Sequence, residues 1–469
     1  MAIAGLRIAG FKRFADSGEI PLRPLTVLVG KNSSGKSSVG QALLLLKQTL
    51  EARGFANTLN LKGPLFTATS YREIVHNHEV ARPVSLTLTV DIDDPKDLAP
   101  AEGTTPWLFF HSMLEKVGRF SATIVLTIES QEPFGPQLRE IAVEPHGQPL
   151  AMAVYEVREN RPDEGRWRLK MPSSRNWRVL SGFGPLGNSL FPAFLAESKD
   201  LGHDGGIYTF TEDVTTYNLA LAFLDRFLRE MKYLGPFRTP PKPRYEFAGK
   251  DFPDIGVTGD HTIDALIADQ LRKSSKRSME KIGEWLHHAG LAEGFSLVPV
   301  HGETGAYQAE VTIGSTVSNY AQVGFGVSQV LPVLVQALRT TRMATFVCEQ
   351  PELHLHPDAQ VALADFFIDR VREKRHVLLE THSEPLLLGI RRALAEEALR
   401  PDTRMTREDV SFLYVDDSRA GEAVVRRLEL DESMNFTHWP PGFMDATTQE
   451  RLRILDKSLA LSERASGGP

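Results

Sequence analysis

The sequence predicts an α/β fold whose strands are split by a mixed α+β insertion. Three observations predict it. Gly30 to Ser37 reads GKNSSGKS and meets the spacing G-x-x-x-x-G-K-[S/T] at every fixed position. An apolar, β-branched run from Leu25 to Val29 precedes the loop, and Ser38 to Leu50 follows with the apolar density of a helix packed on a sheet. Far downstream, two more apolar runs end in acids, at Glu349 and at Glu380.

Strand, glycine loop and helix together place backbone N–H groups and a helix N-terminus around a polyanion. Gly30, Lys31, Asn32, Ser33, Ser34, Gly35 and Ser38 are the candidate cradle. Lys36 would neutralise the β- and γ-phosphates, and the Ser37 hydroxyl would join a Mg²⁺ shell. A chance glycine–serine turn would not bring both flanks, so the reading is nucleoside triphosphate binding.

A chain of 469 residues suggests two or three domains, or one large domain with an insertion. Hydrophobic residues at 42% and charged residues at 24% are those of a soluble globular protein. A net charge of −7 argues against a dedicated polyanion binder, though not against a local basic patch. Cys348 is the one cysteine, which excludes an intrachain disulfide framework and suits a reducing cytoplasm. Within its apolar run it reads as a core residue rather than a nucleophile. Neither a signal peptide nor a membrane-spanning run is visible.

In chain order, LRIAGF and PLTVLVG read as strands, followed by Pro83 to Ile92, Phe120 to Glu129, Ala151 to Arg158 and Arg166 to Met171. Phe134 to Gln137 and Ser181 to Asn188 read as loops. Helical patterns cover Tyr217 to Tyr233 and His261 to His288. Then come a strand at Ala309 to Ile313, a helix at Val327 to Leu338 and a strand at Ala344 to Cys348. A helix at Pro357 to Glu373 and a strand at His376 to Glu380 close the series. No repeat or sustained heptad is present, and Ser462 to Pro469 reads as disordered.

The stretch TFVCEQPELHLHP, Thr345 to Pro357, has the Walker B form, an apolar strand ending in a carboxylate that holds Mg²⁺. Glu349 is the candidate. With the later Glu380-Thr381-His382-Ser383, these residues resemble the ABC-type ATPase clan, specifically its OLD/RecF-like branch. The resemblance covers the N-terminal block to about Val90 and residues from about Ser318 to Ser383. Tyr233 to Arg238 and Asn435 to Asp445 resemble elements of one bacterial subgroup that lacks a nuclease domain and long coiled coils.

The resemblance implies an ABC-type P-loop head with the insertion between Walker A and Walker B. It divides the chain into an N-terminal lobe (1–90), an insertion (91–300), a C-terminal lobe (301–420) and a small extension (421–469). It implies ATP and Mg²⁺ as cofactors, the metal being held by Ser37 and Glu349. His382 becomes the switch histidine that senses the γ-phosphate. Val323 to Gln329, with Gly324, Gly326 and Ser328, becomes the signature loop that caps the nucleotide of an opposing subunit, so a homodimer or higher oligomer is implied.

Two departures bear on turnover. Gln350 stands where the clan carries its catalytic glutamate, and an amide orients water but cannot act as its base. Either hydrolysis is slow or Glu352 supplies the carboxylate. Gly324 stands where many relatives carry a signature serine, which removes a hydroxyl. His354 and His356 lack the further ligands of a zinc site. Lys12 and Arg13 either line the base or ribose edge or form an exposed hairpin pair.

Arg272 to Lys281 (RKSSKRSMEK) is the densest basic cluster and reads either as a phosphate-backbone contact or as a solvated helix face. DNA is therefore one candidate partner. Leu413 to Asp417 reads as a terminal strand of the ATPase lobe rather than part of a nuclease, so an effector activity would reside in a separate protein. The function implied is an ATPase whose head closure controls an effector or a DNA transaction, in genome maintenance or anti-phage defence. A slow or non-hydrolysing nucleotide-gated scaffold is the alternative, and a transporter motor is disfavoured.

Overall fold

Two antiparallel strands, β1 (Ala2–Phe11) and β2 (Phe14–Pro21), lead into β3 (Leu25–Gly30), whose six residues are all buried. After the glycine loop comes α1 (Lys36–Glu51). In β4 (Val84–Ile92) buried and half-buried residues alternate throughout, the period of a strand with one face on a core. It pairs with β1 and is extended by β5 (Phe120–Gln131), β6 (Gly135–Pro145), β7 (Ala151–Arg158) and β8 (Arg161–Lys170). The result is a seven-stranded antiparallel sheet, β2-β1-β4-β5-β6-β7-β8, which runs across residue 90 without a break in pairing. A three-stranded sheet follows, of β9 (Trp177–Phe183), β10 (Ala193–Ser198) and β11 (Tyr208–Thr209). This computed structural model describes residues 2–52, 57–92, 120–131, 135–145, 151–158, 161–170, 177–183, 193–198, 208–209, 212–272, 276–400, 405–417, 421–440, 443, 450 and 452–458.

Next come α2 (Glu212–Glu230), β12 (Lys232–Leu234) and β13 (Tyr245–Glu246). Helices α3 (Thr262–Leu271) and α4 (Lys276–His288) precede a small sheet of β13, β14 (Gly294–Pro299), β15 (Ala306–Ile313) and β16 (Thr316–Asn319). The last part alternates helix and strand: α5 (Phe325–Arg339), β17 (Thr345–Glu349), α6 (Pro357–Arg372), β18 (His376–Glu380), α7 (Glu384–Ala398), β19 (Val410–Asp417) and β20 (Ala423–Leu428).

The central sheet orders these strands β12-β17-β18-β3-β19-β20, parallel from β12 to β19 and antiparallel at β20. Both faces are covered, as parallel sheets require. Leu28 joins a core with α1 and α2, while Leu25, Val27 and Val29 join one with α5 and α6. The fold is thus the α/β P-loop head with a mixed α+β insertion that the sequence predicts. Because β3, β17 and β18 run parallel and adjacent, their carboxyl ends share one edge, where ligands of such sheets bind.

Several element boundaries differ from the sequence reading. The helix expected to reach Tyr233 ends at Glu230, because Lys232–Leu234 is drawn into pairing with Phe346 to Cys348. The single helical stretch from His261 to His288 is two helices, with residues 273–275 outside the described ones. Gly135 to Gln137, read as loop, begins β6, and Phe134 lies outside the described residues. Ser181 to Phe183 belongs to β9, while 184–188, Met171 and 462–469 lie outside the described residues. Leu413 lies in β19, a strand of the central sheet between β3 and β20, in keeping with its reading as part of this lobe.

Candidate functional site

The loop between β3 and α1 is held by backbone geometry that only glycine tolerates. Gly30 has φ 148°, and a Cβ there would lie 2.2 Å from the Val415 carbonyl oxygen. Gly35 has φ 107° and is the N-cap of α1, so no side chain satisfies the helix's first N–H groups. The first turn carries no acidic residue. A helix N-terminus with no side-chain cap and no acid in its first turn favours an anion.

Lys31, Asn32 and Ser33 are exposed at the loop tip, while Ser34, Lys36 and Ser38 are buried. The Lys36 ammonium donates to the Gly30 and Lys31 carbonyls, inside the curl of the loop. Burial lowers its pKa, opposed by the carboxylate of Glu380. The Ser34 hydroxyl is buried without a hydrogen-bond partner. Arg13 fastens the loop from outside: its guanidinium donates to the Ser33 carbonyl and to the Gly421 carbonyl (2.7 Å), and pairs with Asp417 at 2.7 Å. Lys12 reaches Gln41 of α1 at 2.6 Å. The two basic residues therefore brace the loop and its helix.

Opposite the loop stands a row of carboxylates. Register pairs Glu349 with Glu380, and Glu380 with Leu28 of β3. The Ser37 hydroxyl donates to Glu380 Oε1 at 3.0 Å. Glu349 Oε1 accepts the Tyr233 hydroxyl at 2.9 Å. Glu352 accepts the His382 backbone N–H at 2.9 Å through one oxygen, and its other oxygen is buried without a partner. Burial and the neighbouring Glu349 push the Glu380 carboxyl up to about 7, against the Ser37 hydrogen bond and Lys36. Glu349 and Glu352 are also raised, chiefly by burial. His382 is lowered by burial and by Lys36.

Beneath this row lies Arg238, 8% exposed. Its Nη2 donates to the Glu349 carbonyl at 3.0 Å and lies 3.7 Å from Cys348 Sγ, while Nε and Nη1 lack hydrogen-bond partners. Its charge lowers the pKa values of Glu349 and Glu352. Burial pushes the Cys348 thiol up to about 12, which makes it inert as a nucleophile.

The set fits a hard divalent cation of the Mg²⁺ type. Among the described residues no trio of His, Cys, Asp or Glu is arranged to hold a metal alone. A hydroxyl and a carboxylate at a helix N-terminus supply one or two ligands, and Mg²⁺ takes the rest from phosphate and water.

Gln350, at φ 46°, donates its backbone N–H to the Glu380 carbonyl at 2.7 Å, tying the turn after β17 to β18. Gly324 is the exposed N-cap of α5, again without a side-chain cap. Phe325 beside it is 71% exposed, with its ring 5.6 Å from that of His354. Gly326 packs toward the His354 carbonyl and Leu291. The Ser328 hydroxyl turns inward to the Phe325 carbonyl at 2.9 Å. These contacts group the Gly324–Ser328 loop with the segment after β17. His356 caps α6 by accepting the Asp358 N–H.

Sequence reasoning gave no role to Glu380, Tyr233 or Arg238. Glu380 carried a signal, an acid at the end of a strand. Tyr233 and Arg238 carried only their place in the YLGPFR segment, whose contact with Glu349 depends on the β12–β17 pairing.

Residues 1–98 and 263–387 match the family model of the AAA ATPase domain. No curated protein matches the chain. Among solved structures the chain is similar to an SMC head bound to the C-winged helix domain of ScpA, at 12% identity over 92% of this chain and 99% of that one, TM-score 0.46. It is also similar to an Smc head with an extended coiled coil, bound to the C-terminal domain of ScpA from Pyrococcus furiosus (10% identity, 97% and 99% coverage, TM-score 0.44). A third is the SMC head from Thermotoga maritima (10% identity, 92% and 100% coverage, TM-score 0.39). The two segments matched by the AAA ATPase domain model contain the loop and the carboxylate row. No described helix is long and apolar enough to cross a membrane.

Proposed function

We propose that this chain is a cytoplasmic ABC-type ATPase of the OLD/RecF-like branch, working as a homodimer or higher oligomer. Nucleotide-driven joining of two heads would control a separate effector protein or a DNA transaction, in genome maintenance or anti-phage defence. The observation that carries the reading is one convergence. An uncapped helix N-terminus, Lys36, Ser37 and the carboxylates of Glu349, Glu352 and Glu380 meet at the carboxyl ends of β3, β17 and β18.

In this reading the backbone of Gly30 to Ser38 cradles the phosphates, and Lys36 leaves the loop carbonyls for phosphate oxygens. Ser37 and Glu349 would hold Mg²⁺, with Glu380 placed beside them by its bond to Ser37. The ion, when bound, neutralises charge on the β- and γ-phosphates. Glu352 fixes the backbone at His382, the residue that would sense the γ-phosphate as the switch histidine. Gly324, Gly326 and Ser328 cap the nucleotide of the second subunit with the N-terminal backbone of α5, supported by its missing side-chain cap.

Gln350 favours a second reading, a slow nucleotide-gated scaffold, since its amide can only orient the attacking water. Phosphate release by the native chain, Gln350→Glu and Glu352→Gln separates the two. A slow scaffold predicts acceleration of at least about tenfold in Gln350→Glu, because a carboxylate restores a base. A fast native rate that Glu352→Gln abolishes makes Glu352 the base. Sedimentation with and without ATP tests the joining of heads; a monomer under both conditions removes that part of the proposal.

A further inference from the structure

At the amino ends of β17 and β18, on the sheet edge away from Lys36, lies a pocket of about 550 Å³ formed by α4, the end of α5 and the α6–β18 turn. Lys281, Arg342, Arg370, Arg372, Lys374 and Arg375 line it, and Glu373 is the one carboxylate among its walls. Arg372 is neutralised by Asp369 at 2.7 Å and by Glu397. Lys281 (2.9 Å), Arg370 (3.0 Å) and Arg375 all converge on Glu373. Arg342 and Lys374 are exposed and pair with no carboxylate among the described residues.

Arg370 makes the imbalance costly. It is 4% exposed, its guanidinium lies 5.0 Å from the Phe366 ring, and its Nε has no hydrogen-bond partner. Burial and repulsion from Arg370 and Arg342 lower the pKa of Arg375. Buried Arg370 and half-buried Arg375, which share Glu373, are stabilised by an anion that adds a further countercharge. The adjoining cleft toward Arg392 and Arg400 carries Glu284, Asp365 and Glu396 as well, so its cations are balanced where those of this pocket are not. An extended nucleic-acid backbone calls for a stripe of charge, whereas this charge converges on one pocket.

We propose that this pocket is a second anion site that takes a compact phosphorylated ligand, held by guanidinium forks on phosphate oxygens. It also gives a use to Lys281, from the basic cluster that the nucleotide site leaves idle. Arginine suits this role because its planar fork matches phosphate geometry.

The test is calorimetric titration of the full chain with pyrophosphate and with inorganic phosphate. Lys36→Ala serves as background to suppress the loop site, and Arg342→Ser and Lys374→Ser are added singly and together. Both added positions are exposed, and an unchanged melting temperature verifies folding. Pyrophosphate is expected to bind the Lys36→Ala protein and to weaken about tenfold for each cation removed. Absence of binding, or affinity that the triple variant retains, overturns the proposal. Binding of single-stranded DNA that the same pair abolishes, without pyrophosphate binding, also overturns it in favour of a nucleic-acid surface.

Discussion

Replacing Glu380 by Gln should make the ligand-free protein more stable, by a margin that grows as pH rises from 4.5 to about 7 and is constant above it. Glu380 is 8% exposed, and its carboxyl rises from 4.5 to about 7 because burial and Glu349 both oppose its charge. A group whose folded pKa lies above its unfolded value contributes stability that is complete below 4.5 and is lost as pH rises through about 7. At about 1.4 kcal/mol per pH unit, the ionised carboxylate costs the fold about 3 kcal/mol once both states are charged. Glutamine cannot charge, and its amide oxygen still accepts the Ser37 hydroxyl. Urea unfolding without metal or nucleotide should therefore favour Glu380→Gln by about 3 kcal/mol at about pH 8, the gap closing toward about pH 5. A gap that does not change with pH, or a less stable variant at pH 8, would refute the reasoning. The same substitution should lower ATP turnover, since a site that binds cations stores carboxylate repulsion in its empty state.

Gly30→Ala should cost about 3 kcal/mol or more, because its Cβ would lie 2.2 Å from the Val415 carbonyl oxygen at φ 148°; thermal unfolding reads this directly. Tyr233→Phe removes a hydrogen bond that lowers the Glu349 pKa, at about 1 kcal/mol, and should raise the Mg²⁺ concentration needed for half-maximal turnover. Arg238→Met removes a charge that lowers the pKa values of both Glu349 and Glu352, so the acidic limb of the kcat/KM profile should move to higher pH. An unmoved limb would leave Arg238 with a packing role only. Ser37→Ala leaves Glu380 without its hydroxyl donor, and turnover should fall at least about tenfold at saturating ATP.

The parts of the site legible in the sequence are those with local signatures. Leu25 to Val29, Thr345 to Cys348 and His376 to Leu379 are continuous apolar runs because parallel strands are buried on both faces. The glycines at 30 and 35 announce backbone conformations that no other residue adopts cheaply. What was not legible depends on which strand lies beside which. Ser37 meets Glu380 because β18, not β17, is the neighbour of β3, an order no local pattern records. Nor does any local pattern record that β19 borders β3 on its other side. Helix propensity carried α2 on paper to Tyr233, but three residues earlier the chain gains more by pairing with β17. Burial of Arg238 runs against the usual exposure of arginine, so only the assembled fold puts it under Glu349.

The central claim is that Lys36, Ser37 and the facing carboxylates form a working ATP site. Steady-state phosphate release from MgATP, compared between the native chain and Lys36→Ala, tests it most directly. The account predicts a measurable native rate, even if slow, that falls to background when Lys36 is removed while the protein stays folded. A native rate equal to that of Lys36→Ala would contradict it.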